Sequence, residues 1–441
     1  VEGPTLNQTQ TLANDALVDP IVEEGDVNYI LTPGPNPHVE VSYKPGVTDP
    51  VAGTIQKVGK DLGIPVVGAR VSTVFEFEGI TQEQAETIAD RVLINKTVQE
   101  ALVEKPETLM VRGERGPITT VPISRASDEK LLDMSRDKLF LTLEEMKVAK
   151  DYFRRLERDP SDAELEAIAA RWSEHCVHKT FNAKVIVDGV EKAPLFTRIQ
   201  ETSRKYFGSD VATAFEDNSG GMYFYDGYVV LVKWETHNSP SAVEPKGGAA
   251  TGTGGVIRDI VGTGQGAKTI LSTDVFIVAN PDMNPELLPP GCILPDTLLK
   301  GLVAGVSGYG NPMGIPTSNG SVHFHDDFRA KPTVLVGAYG ITPEQYSHKG
   351  EPIVGDRVVV IGGRTGRDGI HGATFSSSEM TERTAMVNAA AVQIGNPIEE
   401  KKMADLILEA RDAGFIRAIT DCGAAGFSSA IGEMGEDIGV T

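Results

Sequence analysis

The sequence predicts an α+β protein of several domains, and three observations carry that reading. The chain has 441 residues, more than one hydrophobic core ordinarily serves. From about residue 185, strand-like runs rich in β-branched residues (VIVDG, YFYDGYVVLVKW, PTVLVGAYGI, RVVVIGG) alternate with glycine loops and with helical patterns at 297–306 and 400–413. Between roughly 125 and 175 the apolar spacing is helical throughout.

Taken in order, residues 1–36 are polar and run into the proline punctuation of Pro33, Pro35 and Pro37, which predicts an extended lead-in. The chain opens on Val1, not Met, which suits a trimmed start. HVEVSYK (38–44) alternates like a half-buried strand, and 51–62 has helical spacing through Val51, Ile55, Val58 and Leu62. VVGARVSTVFEFEG (66–79) predicts two short strands, and Thr81 with Gln84 forms a capping box opening a helix with Ala85, Ile88 and Val92 on one face. A β-α-β-β-α domain over 37–106 follows from that order. Over 107–180, Thr142 with Glu145 and Ser161 with Glu164 cap two further helices, bearing Leu143, Met146 and Ala149, and Leu165, Ile168 and Trp172. An α/β region over 181–345 and a last one over 346–441 complete the organisation, with a break near 341–356.

Composition narrows the functional classes. Hydrophobic residues at 40% and charged residues at 23% describe a soluble globular chain with no spanning segment. Forty-one basic against 62 acidic residues give a net charge of −21, which repels nucleic acid and anionic membranes. Local cations, backbone N–H groups and metal ions still allow small phosphorylated substrates. Cys176, Cys292 and Cys422 have no paired spacing, which suits a reducing cytoplasm.

Chemistry concentrates in three segments. In 233–268 a strand delivers Lys233, Glu235, His237 and Asn238 into a loop, and Gly247, Gly248, Gly252, Gly254 and Gly255 leave backbone N–H groups open to an oxyanion. Arg258 suits a fork on phosphate and Asp259 a metal. No Walker spacing is present; the bland alternative, a glycine turn with surface charges, is outweighed by so many polar groups in so short a stretch. RWSEHCVHKTF (171–181) crowds Glu174, His175, Cys176 and His178, yet it lacks the two separated ligand pairs of structural zinc. An acid/base role suits His175, while His178 is equally a satisfied histidine at a helix end. GGRTGRDGIHGATFSS (362–377), with Arg364, Arg367 and His371, reads equally as a phosphate loop or a structural loop. Gln393 and the Asp421 of TDCGAAGFSSA follow, Asp421 standing before a glycine turn that opens a helix. HFHDD (323–327) reads as surface structure, and no cysteine has the glycine-flanked elbow of a glutaminase nucleophile.

RWSEHC, KWETHNSPSAVEP, GGAATGTGGVIRD, GGRTGRDGIHGATF and DCGAAG, in that order over roughly 125–441, resemble the synthase part of phosphoribosylformylglycinamidine synthase; 37–105 resembles that enzyme's small subunit. The resemblance implies a small-subunit-like domain, a helical linker and the first of two repeats of the aminoimidazole ribonucleotide synthetase type. It implies a carbon–nitrogen ligase of purine biosynthesis in which ATP, with magnesium, phosphorylates the amide oxygen of formylglycinamide ribonucleotide, and ammonia from a glutaminase partner displaces phosphate. Carried over by motif, His175 and His237 are catalytic, and Lys233 and His178 contact ATP. Thr236, Asn238, Ser239, Arg258 and Gln393 bind substrate; Glu235, Asp259 and Asp421 bind magnesium.

Two positions depart from the family pattern: Ser239 stands where a histidine is usual, and His178 where an aromatic is common. The chain also stops at Thr441, inside the first repeat, so a complete synthase is expected to need a further C-terminal portion. A synthetase relative with another substrate and a non-catalytic scaffold of the same fold are the competing readings; His237, Asn238 and Asp259 argue against the scaffold.

Overall fold

Side-chain caps and small residues organise the first unit. The computed structural model describes residues 1–440 except 28–34, 46, 95, 97, 105, 110–115, 137, 364–368, 378, 382–391 and 394. The described residues up to 109 form one unit and those from 116 onward another. Thr5 and Gln8 make a capping box that starts helix α1 (Leu6–Leu12), so the first residues are not wholly extended as expected. Leu12 gives that helix an anchor, being fully buried beside Ile55 and Ile64. Strand β1 (His38–Tyr43), helix α2 (Pro50–Asp61), strand β2 (Ser72–Glu76), helix α3 (Gln82–Ile88) and strand β3 (Gln99–Ala101) follow.

The order is therefore β-α-β-α-β, not β-α-β-β-α. Within 66–79 only the second half pairs as a strand; Gly68 makes a single bridge to Glu2, and the third strand comes after α3. The sheet runs β2-β1-β3, all antiparallel. Ala52 and Gly59 on α2, and Ala85 on α3, are buried, whereas Val51, Leu62 and Ile88 are exposed. Small residues share the inner face of α2 with Ile55 and Val58, so a stripe drawn from Val51 to Leu62 is right in its middle and wrong at its ends.

The second unit opens with helices. Helix α4 (Asp128–Ser135), α5 (Leu143–Arg155) and α6 (Asp162–Arg171) carry the expected Thr142/Glu145 and Ser161/Glu164 capping boxes on the latter two. Met146, Ala149, Phe153, Leu165 and Ala169 form their core, with Leu143, Ile168 and Trp172 packed at its margin. Two short helices, α7 (Glu174–Val177) and α8 (Lys179–Asn182), lead into the exposed hairpin β4 (Val185–Val187) and β5 (Val190–Lys192) and helix α9 (Leu195–Phe207).

A six-stranded sheet then forms from β6 (Val211–Thr213), β7 (Gly220–Tyr223), β8 (Tyr228–Thr236), β9 (Lys268–Val278), β10 (Thr317–Phe324) and β11 (Thr333–Pro343), in the order β10-β9-β11-β8-β7-β6. Only β10 and β9 are parallel. Helices α10 (Asn238–Val243) and α11 (Pro245–Val261) follow β8, and α12 (Pro295–Met313) follows β9. Val229, Leu231, Val334, Val336, Ala338, Phe276 and Val278 point from the sheet toward α11 and α12. Helices α13 (Gly372–Ser376), α14 (Pro397–Asp412) and α15 (Phe427–Met434) complete the described elements.

Two sequence expectations fail here. RVVVIGG forms no strand: Val358, Val359 and Val360 are exposed, and no described strand lies beside them to take their backbone hydrogen bonds. The glycine stretch after Lys246 is not an open loop either. It lies inside α11, capped by the Glu244 carboxylate on the Gly247 N–H. Each interior glycine costs a helix about 1 kcal/mol against alanine, so contact must compensate. A Cβ at Gly248 would stand 2.5 Å from Ser241 Cα, one at Gly252 2.9 Å from His237 Cβ, and one at Gly254 2.5 Å from the Tyr309 ring. From α12, Gly301 and Gly305 meet Pro245 and Lys246 in return. The glycines let two helices and the sheet approach more closely than side chains allow.

Gly305→Ala would press a methyl group on the Lys246 carbonyl and the Ala249 methyl, and overpacking of this kind should cost about 1–3 kcal/mol. Gly308→Ala, on the exposed side of the same helix with nothing within 4 Å, should stabilise by up to about 1 kcal/mol. Urea unfolding of the two variants measures both; coincident midpoints would remove the close-approach argument.

Candidate active site

Strand alternation aims the first site residues. Along β8, Val229 and Leu231 enter the core, and Lys233 and Glu235 continue on that face toward α11. Trp234 and Thr236 occupy the opposite, exposed face. Helix α11 answers with Arg258 and Asp259 one turn before its end. Lys233 Nζ lies 3.0 Å from Asp259 Oδ2, and Arg258 Nε lies 2.8 Å from Asp421 Oδ2. Asp421 comes from the loop before α15, as the glycine-turn pattern predicts, with Gly426 at the helix start.

His237 ends β8 and precedes α10, a short helix where a loop was expected. Its backbone N–H donates to the Val334 carbonyl, and its ring backs onto Gly252. Its Nδ1 is buried and makes no hydrogen bond. Asn238 Oδ1 accepts from the Val334 N–H at 2.7 Å. Ser239 is buried and its hydroxyl donates to the Ser376 carbonyl at 3.1 Å, so it serves the junction between α10 and α13.

Linker helices bring His175 to this cluster. Arg171 donates to Ser429 Oγ at 2.7 Å and Glu433 Oε1 at 2.8 Å on α15. Glu166 Oε1 lies 2.7 Å from His371 Nδ1, and α13 packs on α6 and α7. The described part of the 362–377 loop thus packs on the linker helices; Arg364 and Arg367 lie outside the described residues. His178, in the left-handed region at φ 51°, links α7 to α8 and is exposed. Gln393 is exposed, with its carbonyl accepting from Thr251 Oγ1 at 2.8 Å.

The electrostatics bind these groups into one neighbourhood. Burial pulls His175 below the ordinary histidine value; Glu235 opposes it, and His178 and Lys233 add to it. Burial likewise lowers His237 against the pull of Glu235. Both imidazoles are then neutral at pH 7 and able to accept a proton. Burial alone would lower Lys233, but Asp259, Glu235 and Asp421 outweigh it and hold the ammonium charged. Asp259 is pushed up to about 7 by burial, with Asp421 and Glu235 adding to the rise against Lys233. Crowded carboxylates of this sort favour any further cation. Among the described residues, however, no three or more His, Cys, Asp or Glu side chains gather closely enough to cage an ion. The donor set fits magnesium held by a few carboxylates together with phosphate oxygens, the usual manner for that ion.

Two buried polar residues, Tyr309 and Asp274, and the half-buried Glu400 escaped the sequence reading. Tyr309 on α12 hydrogen-bonds Glu400 on α14, and Asp274 lies in one register row across the sheet with Val336 and Glu235. Nothing local in the sequence separates Glu400 from the charged residues beside it. HFHDD, as expected, is surface: all of β10 is exposed and a 3₁₀ turn follows.

Family models match the chain in tandem. They are phosphoribosylformylglycinamidine (FGAM) synthase of the PurS type over 36–107, the formylglycinamide ribonucleotide amidotransferase linker domain over 133–179, and the N- and C-terminal domains of AIR synthase related proteins over 216–342 and 354–441. The fold and site therefore define a synthetase core of the AIR synthase type behind a helical linker. With a PurS-like domain ahead of them, they place this chain in the phosphoribosylformylglycinamidine synthase family as a PurL-like chain with one AIR-synthase domain pair.

The chain is 38% identical over 316 residues to the PurL subunit of phosphoribosylformylglycinamidine synthase from Thermoplasma volcanium, covering 71% of this chain and 39% of the relative. The Thermoplasma acidophilum subunit is 39% identical over 321 residues with the same shares. Among solved structures, Thermotoga maritima PurL complexed with FGAR matches with 30% identity and a TM-score of 0.48, over 66% of this chain and 41% of that one. The chain spans about two fifths of the length of the relatives it matches.

Asp274 generates a stability prediction. Its Oδ1 is buried without a partner, and burial pushes its carboxyl from 3.8 up to about 6. A carboxyl raised in the folded state destabilises only when ionised, so stability is intact below pH 4 and falls as pH rises toward 6. Asp274→Asn should leave stability unchanged at pH 4 and raise it by about 1–3 kcal/mol at pH 7.5. Urea unfolding at the two pH values measures the difference; equal gains at both would place its cause elsewhere.

Proposed function

We propose that this chain supplies the first half of an ATP- and magnesium-dependent phosphoribosylformylglycinamidine synthase, converting formylglycinamide ribonucleotide to its amidine in purine biosynthesis. The observation that carries the reading is the crossed pairing of Lys233 with Asp259 and Arg258 with Asp421 beside two neutral imidazoles. Phosphoryl transfer asks a protein mainly for positioned charge. Amidine formation asks further for a base.

The amide oxygen is a poor leaving group. It attacks the γ-phosphorus of ATP and ADP departs; ammonia then adds to the carbon of the resulting O-phosphorylated imidate, and its C–O bond breaks to release inorganic phosphate. Lys233 and His178 take nucleotide phosphate oxygens, and Arg258 forks onto the substrate phosphate. Glu235, Asp259 and Asp421 would hold magnesium, which supplies neutralising charge on the phosphates. Neutral His175 or His237 accepts the proton that ammonia loses on adding. Asn238, Gln393 and Thr236 orient the substrate. Ser239 acts there through Ser376, and not by reaching substrate itself.

Thermotoga maritima PurL is known with ATP and in a PurLQS assembly. On this reading the present chain likewise works with a glutaminase that supplies ammonia and with a second synthetase repeat. The domains are then the lead-in 1–36, the small-subunit-like domain 37–106, the linker 107–180 and the two halves of the repeat, 181–345 and 346–441. Among the described residues no helix is long and apolar enough to cross a membrane, and Cys176, Cys292 and Cys422 are free thiols, which supports a cytoplasmic setting.

ADP release from formylglycinamide ribonucleotide, ammonium and magnesium-ATP tests the reading, with the chain alone and then joined by the second repeat. Release is expected only in the complete assembly; none in either, with both parts folded, would assign another substrate. In the complete assembly His175→Ala should lower turnover at least 100-fold, with ammonium as with glutamine. An effect confined to glutamine would move His175 to coupling. Asp259→Asn should raise the magnesium requirement about tenfold or more while the thermal midpoint shifts little; parallel losses of both would count against the metal role.

A further inference from the structure

Gln393 is the proposed substrate residue that its own backbone does least to hold. It belongs to no helix or strand and is exposed, and its carboxamide makes no hydrogen bond among the described residues. Contacts on either side of it in the chain fix its course. Val392 is buried with Val243 of α10 and Phe375 of α13, and a Cβ at Gly247 would stand 3.6 Å from Val392 Cγ1. Gly395 lies against the Tyr309 ring, where a Cβ would stand 2.7 Å from Cε2, and a Cβ at Gly254 would stand 2.5 Å from Cζ of the same ring. Between these two contacts, Thr251 Oγ1 donates to the Gln393 carbonyl at 2.8 Å.

Gly247, Thr251 and Gly254 follow one another at four and three residues, so they share one side of α11. Arg258, four residues further, continues that side. Val392, Gln393 and Gly395 therefore track the helix in the direction of Arg258, and Thr251 precedes Arg258 by about 10 Å along the axis.

Thr251 uses its hydroxyl differently from the next threonine of the helix. A threonine inside a helix commonly turns back on the carbonyl four residues earlier, and Thr253 does so, donating to Ala249 at 3.0 Å. Thr251 is buried and donates instead to another segment. Gly369 meets the Gln393 side chain itself. Its φ is +85°, and a Cβ there would lie 2.5 Å from Gln393 Cγ and 2.6 Å from Nε2. Only a bare Cα leaves the carboxamide where it lies.

We infer that Thr251 is a positioning residue: with Gly369, it sets where the Gln393 carboxamide stands relative to Arg258. Thr251 touches no reacting atom. Its hydroxyl fixes the Gln393 main chain, and Gly369 leaves the space for the side chain. A carboxamide both donates and accepts, so Gln393 suits an amide- or hydroxyl-bearing part of the ligand, while Arg258 takes the phosphate two turns of helix away. The ligand affected is formylglycinamide ribonucleotide and not ATP. The inference rests on the reading of Gln393 and Arg258 as substrate-binding groups.

The complete assembly separates this role from a packing role. Thr251→Val keeps the shape of the side chain and removes the donor; it should raise KM for formylglycinamide ribonucleotide about tenfold, with kcat and KM for ATP within about twofold. Thr251→Ser, which keeps the hydroxyl, should stay within about twofold of the unaltered assembly in all three. Gly369→Ala should act in the same direction as Thr251→Val and keeps the test open if that variant does not fold. In a Gln393→Ala background neither Thr251→Val nor Gly369→Ala should add to the loss already present, because groups acting through one another are not additive.

An unchanged KM in folded Thr251→Val and Gly369→Ala would overturn the inference, as would full additivity with Gln393→Ala. So would equal losses for both substrates and kcat with a lowered thermal midpoint, or a Thr251→Ser variant as impaired as Thr251→Val; each would assign Thr251 to packing. An unchanged KM in Gln393→Ala would instead overturn the reading of Gln393, and lack of any turnover by the unaltered assembly the proposed reaction, each taking the inference with it.

Discussion

The closeness of α11 to its neighbours is the constraint on which the site depends. Arg258 and Asp259 reach Lys233 and Asp421 only because Gly248, Gly252 and Gly254 let the helix settle against α10, His237 and Tyr309. Val256, Ile257 and Ile260 bury fully in the same helix, each contributing on the order of 1.5–3 kcal/mol. Apolar packing and bare backbone thus alternate along a single element. The packing holds the helix, and the bare positions set its distance from the sheet.

Much of this was legible, for a physical reason in each case. Strand β8 announces itself as a run of β-branched residues, and the two-residue period of a strand then puts Lys233 and Glu235 on the side of Leu231. Capping boxes at Thr142 and Ser161 mark helix starts because the reciprocal hydrogen bonds are local. The glycines of α11 misled because local propensity speaks against a helix, whereas the contacts that overrule it come from other elements, from Ser241 and His237 just before it to Tyr309 and Gly305 more than fifty positions on. RVVVIGG misled in the opposite sense: β-branched residues favour extension, but a strand exists only with a neighbour. Glu400 was invisible because a helix-start glutamate among lysines reads as solvated, and only the fold puts Tyr309 over it.

The linker helices do more than connect. Helix α6 is fastened at Glu166 to His371 and at Arg171 to Ser429 and Glu433, so the short helix bearing His175 inherits its place from two separate later segments. A histidine delivered by so short an element has little intrinsic order. Its position relative to Glu235 is set by these anchors.

The buried ion pairs have a kinetic side. This chain carries a net charge of −21, while its proposed ligands are polyanions, so each encounter is made against a repulsive field. Dissolved salt shortens that field to about 8 Å at physiological strength, yet acts less on Lys233–Asp259 or Arg258–Asp421, whose carboxylates are largely withdrawn from solvent and whose cations are half-buried. Added salt therefore acts on approach and on recognition in opposite proportion. It quickens arrival at the surface and leaves the charge pattern inside nearly as it was, the reverse of what a basic, open phosphate cleft would experience.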